Sequence, residues 1–412
     1  MKMNRLSAYD YSNKTVLVRI DINSPIDSIT KKIVSRNRLT KSIPTLKYLI
    51  DSGAKIAIIA HQGDTLDYYN LISMQEHSEI LSELLGQSVN YIDDVAGDCA
   101  IEAVKNLKSG EIILLGNLRY LAEEISTFEE VVKLTPNEML DCYLVRRLAP
   151  LFQYYINDAF SAAHRNAPSM VAFQELLPSV AGELFYTEIE NLDRIMSAPN
   201  KPSVFVLGGA KISDAFGMME QVLMNGTADT ILTAGVTGLV FMIADGIDVG
   251  KMTNKFLEDR GLTSFIDDAR KYLKTYPNKI KYPIDICYAE AGIRYEVTCD
   301  KLPLEKSFLD IGSLTIASYQ KILLEAKTIF VNGPAGVYEQ EIFAIGTCDI
   351  WKAIAASNGY SVIGGGDTVS AASKFIDLKD IGYVCTAGGA MVRYLSGKTL
   401  PLIKAMQKAY KE

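Results

Sequence analysis

Short runs of apolar, often β-branched residues recur along the chain and are separated by longer amphipathic stretches. Because these runs do not alternate with polar residues, they predict strands that are buried on both faces. Such strands belong to parallel sheets with helical crossovers, so the sequence predicts an α/β fold with two Rossmann-like parallel-sheet domains. The runs are TVLVRI (15–20), KIAIIA (55–60), EIILL (111–115), YYIND (154–158), SVFVLGG (203–209), TILTAG (230–235), TIFVNG (328–333), YSVIGG (360–365) and YVCTAGG (383–389).

A long helix is predicted between the two halves. Apolar residues recur there at helical spacing, and the Pro-Asn-Lys-Pro segment 199–202 ends the pattern. The length of 412 residues exceeds what one ordinary core supports, and about two to three domains are expected. We therefore predict an N-terminal domain over 1–181, an interdomain helix over 182–200 and a second domain over 201–388.

The composition narrows the class of protein. The net charge of −7, without a basic block, argues against nucleic-acid binding. The longest uncharged run, from Thr230 to Ala244, is too short and too rich in glycine and threonine to cross a bilayer. The six cysteines are scattered without a C-x-x-C pair, and no signal peptide is evident. We therefore expect a cytoplasmic enzyme that works on small molecules, with no nucleic-acid or membrane partner.

Several strands of the second half end in glycine clusters. Glycines between a strand and a helix let a phosphate approach the free N–H groups and the positive dipole end of that helix. One cluster alone is equally explained by a tight turn, whereas several at the same sheet edge favour a nucleotide site. A G-x-G-x-x-G fingerprint is absent, and SGKT at 396–399 lacks the P-loop glycine, since Val392 stands in its place. The clusters are LGGAK (207–211), NGPAG (332–336), GGGDT (364–368) and AGGA (387–390).

The strands of the first half end in charged and polar residues instead. Three guanidinium groups near one sheet edge would bind a polyanion, because their forks match phosphate and carboxylate. The arginines concerned are Arg38, Arg119 and Arg165, and the neighbouring polar residues are Asp21, Asn23 and His61. His77, in the helical QEHSEILSELL, is predicted to lie on the surface. An anion site in one domain and a phosphate site in the other suggest a phosphotransferase that closes about a hinge.

The same segments resemble the phosphoglycerate kinase family, nearly end to end and in the family's order. They include VLVRIDINSP, RLTKSIPTLKYLIDSGAKIAIIAHQG, GNLRYLAEE, YYINDAFSAAHRNAPSM, LGGAKISD, VNGPAGVYEQEIFAIGT, SVIGGGDTVSA and TAGGAMVRYLSGKTLP. The sequences of several of these segments are similar to those of the archaeal branch of the family. The resemblance implies the reaction 3-phosphoglycerate + ATP = 1,3-bisphosphoglycerate + ADP in glycolysis and gluconeogenesis, with Mg²⁺ as cofactor.

The resemblance also implies roles for individual residues. Phosphoglycerate would be bound by Asp21, Asn23, Arg38, His61, Gln62, Gly63, Asp64, Arg119 and Arg165. The nucleotide would be bound by Gly208, Gly209, Lys211, Asn332, Pro334, Glu339, Gly364, Gly365, Gly366, Asp367 and Thr368. Asp367 would also bind Mg²⁺, Arg38 and Lys211 would act in catalysis, and the C-terminal segment 389–412 would return to the first domain.

The implied chemistry agrees with these residues. A carboxylate is already ionised at neutral pH, so its attack on the γ-phosphoryl group needs no general base. Catalysis would then consist of positioning and charge neutralisation by Arg38, Lys211, Mg²⁺ and backbone N–H groups. Because an acyl phosphate hydrolyses easily, domain closure would have to exclude water before transfer.

The substrate loop departs from the family pattern. Asp64 stands where relatives usually carry an arginine that contacts the substrate's phosphate, and Gly116 replaces the usual glutamate. Ala215 stands where many members have a second lysine, although members similar to the archaeal branch often lack it. Exchanging a positive for a negative charge at about 5 Å shifts the local energy by a few kcal/mol at an effective dielectric near 20.

Three interpretations therefore stay open. The leading one is a phosphoglycerate kinase with a divergent substrate loop. The second is a paralogue that phosphorylates a different small carboxylate with the same nucleotide site. The third is a non-catalytic nucleotide-binding protein, which the presence of Arg38, Lys211 and Asp367 disfavours.

Overall fold

The computed structural model describes residues 2–64, 69, 71–197 and 199–410. The chain divides into two compact units, and the first comprises the residues up to Ile189 together with those from Thr399 onward. The second unit runs from Glu190 to Lys398. The division therefore falls within the predicted long helix, and residues 389–398 belong to the second unit, whereas the sequence grouped 389–412 as one segment.

The first unit is built on a parallel sheet whose strand order is β3-β4-β2-β1-β5-β6 in the described part of the chain. In β1 and β2 every residue after the first is buried, as the apolar runs predict. The predicted α/β class is confirmed, although the short outer strands β3 and β6 were not foreseen. The strands are Thr15–Ile20 (β1), Lys55–Ile59 (β2), Val89–Tyr91 (β3), Ile112–Leu114 (β4), Tyr154–Asp158 (β5) and Ser179–Ala181 (β6).

Helices cover this sheet and connect its strands. Their apolar stripes face the strands, and Leu39, Leu46 and Leu49 of α1 join the core formed by the sheet. The helices are Asn37–Asp51 (α1), Gln75–Leu85 (α2), Asp98–Lys105 (α3), Ser126–Val131 (α4), Tyr143–Leu148 (α5), Pro168–Val171 (α6) and Glu183–Ser197 (α7). The last of these is the long helix predicted over 182–200.

His77 corrects one sequence prediction, because it is fully buried instead of lying on the surface. The inward stripe of α2 consists of His77, Ser78, Ile80 and Leu81, so the histidine occupies a core-facing helical position. Burial lowers the pKa of His77 to about 4. Its Nε2 atom lies 2.9 Å from Oε1 of Gln62, which ties α2 to the turn after β2.

The second unit contains another parallel sheet, with strand order β15-β14-β13-β7-β8-β9 among the described residues. A separate antiparallel sheet, β11-β10-β12, was not predicted, because apolar and polar residues alternate in its largely exposed strand β11, which therefore contains no continuous apolar run. The strands are Ser203–Leu207 (β7), Thr230–Thr233 (β8), Ile280–Lys281 (β9), Asp285–Glu290 (β10), Ile293–Thr298 (β11), Asp310–Ile311 (β12), Thr328–Asn332 (β13), Tyr360–Ile363 (β14) and Tyr383–Val384 (β15).

The remaining helices follow the strands of the second unit and then return the chain to the first. They are Ile212–Met224 (α8), Gly235–Ala244 (α9), Lys251–Asp259 (α10), Ser264–Thr275 (α11), Ser313–Glu325 (α12), Ile345–Ala356 (α13), Gly366–Phe375 (α14), Gly389–Leu395 (α15) and Pro401–Lys408 (α16). In α16 the Leu402 N–H donates to the Ala163 carbonyl at 3.2 Å, which anchors this helix in the first unit. Within the described ranges, none of the helices has the length and apolar character needed to cross a bilayer.

The start of α7 is held by a buried carboxylate, Asp158, at the end of β5. Its Oδ1 atom accepts the backbone N–H of Phe185 at 2.8 Å, and the Thr45 hydroxyl also bonds to this side chain. Asp158 is fully buried, and its Oδ2 atom has no hydrogen-bond partner among the described residues. Burial therefore raises the pKa of Asp158 to about 7, with the hydrogen bonds only partly offsetting the cost of desolvation.

We predict that Asp158 makes the first unit less stable as the pH rises from about 4 to about 7. In that range the folded chain keeps a proton that the unfolded chain has lost, so stability falls with pH, by at most about 1.4 kcal/mol per pH unit. Asp158→Asn keeps an acceptor for Phe185 but does not titrate, so the fall should be smaller in this variant. Urea unfolding at a series of pH values measures the difference.

The matched control is Asp98→Asn, since the Asp98 side chain is 97% exposed. This variant should reproduce the wild-type dependence of stability on pH. If the free energy of unfolding varied with pH in the same way in Asp158→Asn and in wild type, the Asp158 carboxyl would not titrate in this range.

Candidate functional site

The first unit gathers polar residues at the carboxyl ends of β1 and β2. Asp21, just after β1, is almost fully buried and accepts the Asn23 backbone N–H at 3.0 Å. Its Oδ2 atom accepts from Nη1 of Arg38 at 2.5 Å and from the Ser161 hydroxyl. Asp21 thus holds Arg38, from the start of α1, beside the sheet edge, and the predicted residues Asp21, Asn23 and Arg38 do lie together.

His61, directly after β2, lies in a strongly basic environment. The ring is 6% exposed, and its Nδ1 atom is 2.9 Å from Nη2 of Arg19. Burial lowers the pKa of His61 well below its ordinary value, and the positive charges of nearby arginines lower it further. His61 is therefore neutral at physiological pH. The arginines acting on it are Arg19, Arg119, Arg165 and Arg38.

Arg119 and Arg165 are held by acidic segments of the first unit. Nη1 of Arg119 donates to the Glu124 carbonyl at 2.6 Å, and Nη2 of Arg165 donates to the same carbonyl at 3.1 Å. Arg165 also pairs with the Glu129 carboxylate, and this ion pair is nearly buried. Burial, followed by the charge of Arg165, lowers the pKa of Arg119 to about 10. Both guanidinium groups remain cationic and are positioned by acceptors of the chain itself.

Gln62 and Gly63 shape the turn after β2. The Gln62 amide side chain is buried and makes two 2.9 Å bonds to the backbone of Ser24, in addition to its contact with His77. Gly63 has a φ of +92°, a conformation that favours glycine, and its N–H donates to Oδ1 of Asn23 at 2.9 Å. Gln62 therefore holds the loop, with its side chain turned into the protein.

Asp64 is exposed at the end of this turn. The unusual Thr-Leu-Asp that follows it in the sequence lies outside the described residues. Asp64 therefore follows His61, Gln62 and Gly63 in this turn, and its side chain is open to solvent.

The second unit contains a cavity of about 700 Å³ at the carboxyl ends of β7, β13 and β14. Strand ends of a parallel sheet are the usual position for a ligand in this class of fold. The predicted residues that line the cavity are Gly208, Gly209, Lys211, Asn332, Pro334, Glu339, Gly365, Gly366, Asp367 and Thr368. Gly364 does not line it, because Gly364 lies behind the wall, against Met391 and the Ala387 carbonyl.

Glycines are required where two loops of the cavity wall touch. The Gly209 N–H donates to the Pro334 carbonyl at 2.8 Å, and the Gly208 N–H donates to the Asn332 carbonyl at 2.9 Å. A Cβ atom on Gly208 would overlap the Pro334 carbonyl oxygen, and one on Gly333 would overlap the Gly208 carbonyl. The loops after β7 and β13 can therefore pack only because both lack side chains at this point.

The start of α14 faces the cavity with little side-chain cover. Gly365 precedes the helix with a φ of +92° and caps it without a side chain, and a Cβ atom on Gly366 would meet only open space. Thr368 is almost fully buried, and its hydroxyl accepts the Gly333 N–H at 2.9 Å. The Thr368 side chain therefore links α14 to the loop after β13, and the exposed donors belong to the helix N-terminus.

Lys211 and Asp367 form an exposed ion pair at the same edge of the cavity. Nζ of Lys211 lies 3.2 Å from Oδ2 of Asp367, and both side chains are more than 70% exposed. Each group is free to move to a ligand at small cost, because an exposed ion pair contributes little to stability. Among the described residues no cluster of three or more potential metal-ligating side chains occurs, so Asp367 supplies a single carboxylate.

The apolar part of the cavity was missed by the sequence prediction. Leu239 of α9, Met252 and Phe256 of α10, Pro283 and Phe308 line this apolar part. These residues come from separate helices and loops, and a chain-local pattern distinguishes none of them from core residues. Arg19 and Glu124 in the first unit were missed as well, since a charged residue inside an apolar strand was the only signal for Arg19.

An arginine-rich sheet edge in one unit and a glycine-lined cavity in the other define a nucleotide-dependent phosphotransferase. The family model described as phosphoglycerate kinase matches residues 6–398. The chain belongs to the phosphoglycerate kinase family, and it is accordingly an enzyme, a kinase of glycolysis.

Relatives and solved structures agree over the full length. The phosphoglycerate kinase of Methanothermus fervidus is 42% identical over 410 residues, which cover 100% of this chain and 98% of that protein. That of Pyrococcus furiosus is 40% identical over 419 residues, with 100% and 98% covered. The crystal structure of phosphoglycerate kinase from Pyrococcus horikoshii is 39% identical with a TM-score of 0.87, and 99% of each chain is covered. The resemblance to the family, and to its archaeal branch, is thereby confirmed.

Proposed function

We propose that this chain transfers the γ-phosphoryl group of ATP to the carboxylate of 3-phosphoglycerate, with Mg²⁺ bound to the nucleotide. The observation that carries the proposal is the basic cluster around His61 on a chain that matches the family over its whole length. A cluster of four arginines is a site for a polyanion, because guanidinium groups match the geometry of phosphate and carboxylate. The glycine-lined cavity supplies the matching nucleotide site.

In the first unit, Arg119 and Arg165 would hold the phosphate of the substrate. At present the Glu124 carbonyl and the Glu129 carboxylate are their acceptors, and a dianionic phosphate offers a stronger one. Arg38, Asn23 and His61 would bind the carboxylate and hydroxyl end. Asp21 holds Arg38 in place through their 2.5 Å contact. Gln62 and Gly63 would shape the loop around the substrate.

In the second unit, the N-terminus of α14 and Lys211 would bind the nucleotide phosphates. Glu339 and Asn332 would face the ribose and its surroundings, and the apolar wall would receive the base. Mg²⁺ fits the single carboxylate of Asp367, since this ion is commonly bound by one or two carboxylates together with substrate phosphates and water. When bound, it would supply positive charge to the phosphate oxygens.

The reaction would need no general base, because the attacking carboxylate is already ionised. His61 is neutral at physiological pH and cannot act as a general acid of ordinary strength there. The work of the protein is therefore to position the reactants and to neutralise charge on the transferring group, which we assign to Arg38 and Lys211. We further propose a cytoplasmic location, which the scattered cysteines of the sequence, without a C-x-x-C pair, support.

The first prediction from this proposed function concerns the metal. Asp367→Asn should weaken ATP binding in the presence of Mg²⁺ by about tenfold or more, because the metal loses its carboxylate. Without Mg²⁺ the same variant should bind ATP as well as wild type or better, since Lys211 loses a competing partner. Titration calorimetry on the full chain measures both. The control is Asp380→Asn, an exposed acid outside the cavity, and equal Mg²⁺-dependent affinity for Asp367→Asn and wild type would refute the assignment.

The second prediction concerns the transferring group. Arg38→Ala and Lys211→Ala should each lower kcat by roughly 10²-fold or more, because each removes a cation that acts on the transition state. The KM for ATP should change much less in Arg38→Ala than in Lys211→Ala. The control is Arg36→Ala, which removes a neighbouring exposed arginine paired with Glu83. Near-native turnover of Arg38→Ala in a coupled assay would contradict the proposed role.

A second candidate function arises from Asp64, because an acid beside the basic cluster is unexpected for a phosphate site. The candidate is phosphorylation of a different small carboxylate, whose hydroxyl or amine would meet Asp64. Since the Asp64 side chain is exposed and four arginines act on His61, 3-phosphoglycerate is the better-supported substrate.

The third prediction separates these candidates. Asp64→Arg should lower the KM for 3-phosphoglycerate with little change in kcat, because added binding is shared by ground and transition states. Asp64→Asn, which removes the charge without adding a donor, should lower it less. Steady-state assays with 3-phosphoglycerate, ATP and Mg²⁺ measure both. Negligible wild-type turnover at any concentration, gained only in Asp64→Arg, would favour the different carboxylate.

A further inference from the structure

Arg19 is an unusual residue for the middle of a parallel sheet. It lies in the central strand β1, paired with Ile59 on one side and Asn157 on the other, and it is 1% exposed. A buried guanidinium costs free energy unless its donors are satisfied. Its position in an otherwise apolar strand therefore calls for an explanation beyond core packing.

Each of the three guanidinium nitrogens of Arg19 is directed to a specific acceptor. Nη1 donates to the Ile20 carbonyl, Nε donates to the Ser169 hydroxyl at 3.4 Å, and Nη2 lies 2.9 Å from Nδ1 of His61. The Ser169 hydroxyl in turn donates to the Glu124 carboxylate at 2.6 Å. Because Ser169 gives its proton to Glu124, its oxygen is available to accept from Arg19. A directed chain of donors thus runs toward Glu124 and fixes the guanidinium plane.

The contact with His61 determines the state of the imidazole ring. A guanidinium group can only donate, so Nδ1 of His61 must be the acceptor and must carry no hydrogen. In the imidazolium form an N–H group would point at another N–H group at 2.9 Å, which is repulsive. The neutral ring then carries its hydrogen on Nε2.

We propose that Arg19 is a positioning residue that holds His61 as the neutral tautomer with its hydrogen on Nε2, so that the ring donates to bound phosphoglycerate. The statement that His61 donates to phosphoglycerate rests on the proposed function, whereas the statement about the His61 tautomer does not. The role differs from that of Arg38, Arg119 and Arg165, because the Arg19 side chain is buried and acts through His61.

The consequence for the enzyme is a substrate site whose charge stays constant near neutral pH. An ordinary histidine changes charge around pH 6.5, which would alter the affinity for a polyanion across the physiological range. Here the groups that face His61 are the cations Arg19, Arg38, Arg119 and Arg165, while Asp21 and Glu124 are the acids that act on Arg19. Removing Arg19 takes away the adjacent cation and the donor to Nδ1, so His61 can then be protonated more easily.

The test is nitrogen NMR of the ¹⁵N-histidine-labelled full-length protein without substrate. The chain has only three histidines, and His61→Gln assigns the His61 signals. In wild type at pH 7, we expect Nδ1 of His61 to resonate as an unprotonated nitrogen and Nε2 as a protonated one. A protonated Nδ1 in wild type would overturn the proposal, whether or not the enzyme uses 3-phosphoglycerate.

Variants then connect the tautomer to function. In Arg19→Met the His61 ring should show a mixture of tautomers. Its protonation, and the accompanying change in the KM for 3-phosphoglycerate, should occur at a higher pH than in wild type, although burial and the three other arginines still hold the pKa of His61 below its ordinary value. Arg19→Lys, which keeps a donor-only cation, should restore the wild-type tautomer at least in part. Arg147→Met, which removes an arginine paired with Asp98 in the same unit, is the matched control and should match wild type.

These outcomes distinguish positioning from a merely structural role. If Arg19→Met lowers stability but leaves the His61 spectrum and the pH dependence of KM unchanged, Arg19 serves packing alone and the inference is wrong. If Arg19→Met does not fold, the wild-type spectrum and Ser169→Ala, which removes the acceptor for Nε, still decide the matter. Loss of the Nε2–H tautomer in Ser169→Ala would support the series of hydrogen bonds that runs from His61 through Arg19 and Ser169 to Glu124. A wild-type His61 spectrum in Ser169→Ala would contradict the role of this series.

Discussion

The parallel direction of the strands is the constraint on which both sites depend. In a parallel sheet every strand ends at the same edge, so residues far apart in sequence converge there without any local signal. In the first unit this brings Asp21 after β1 and His61 after β2 to one place. In the second unit it brings the glycine loops after β7, β13 and β14 around one cavity. Each site is therefore a direct result of the sheet topology.

The first unit concentrates positive charge at this edge, and it does so with internal acceptors. Arg38 is held by Asp21, Arg165 by Glu129, and Arg119 by the Glu124 carbonyl. Without these partners, several guanidinium groups in a poorly hydrated site would repel one another and be costly to bury. The acceptors keep the cations fixed in the absence of substrate, and a polyanion can then replace some of these contacts instead of ordering mobile side chains.

Some residues of the recognised motifs hold the loops together. Gln62 lies in the substrate motif, yet its side chain bonds to Ser24 and His77. Thr368 lies in the phosphate motif, yet its hydroxyl bonds to the Gly333 N–H. Gly364 makes room for Met391 behind the cavity wall. A motif therefore marks the position of a site, while the contacts of each side chain determine which members can reach a ligand.

The sequence by itself determined the α/β class, the approximate division into two units, the main strands and most of the polar and glycine residues that lie at the two sheet edges. Those features depend on local patterns, namely apolar runs and the residues that follow them, and on a resemblance carried by contiguous segments. The tertiary structure alone decided the burial of His77, the contact of Arg19 with His61, the part played by Glu124 and the apolar wall of the cavity. These depend on which distant residues meet, for example Arg19 and Ser169, and a one-dimensional pattern contains no measure of that distance.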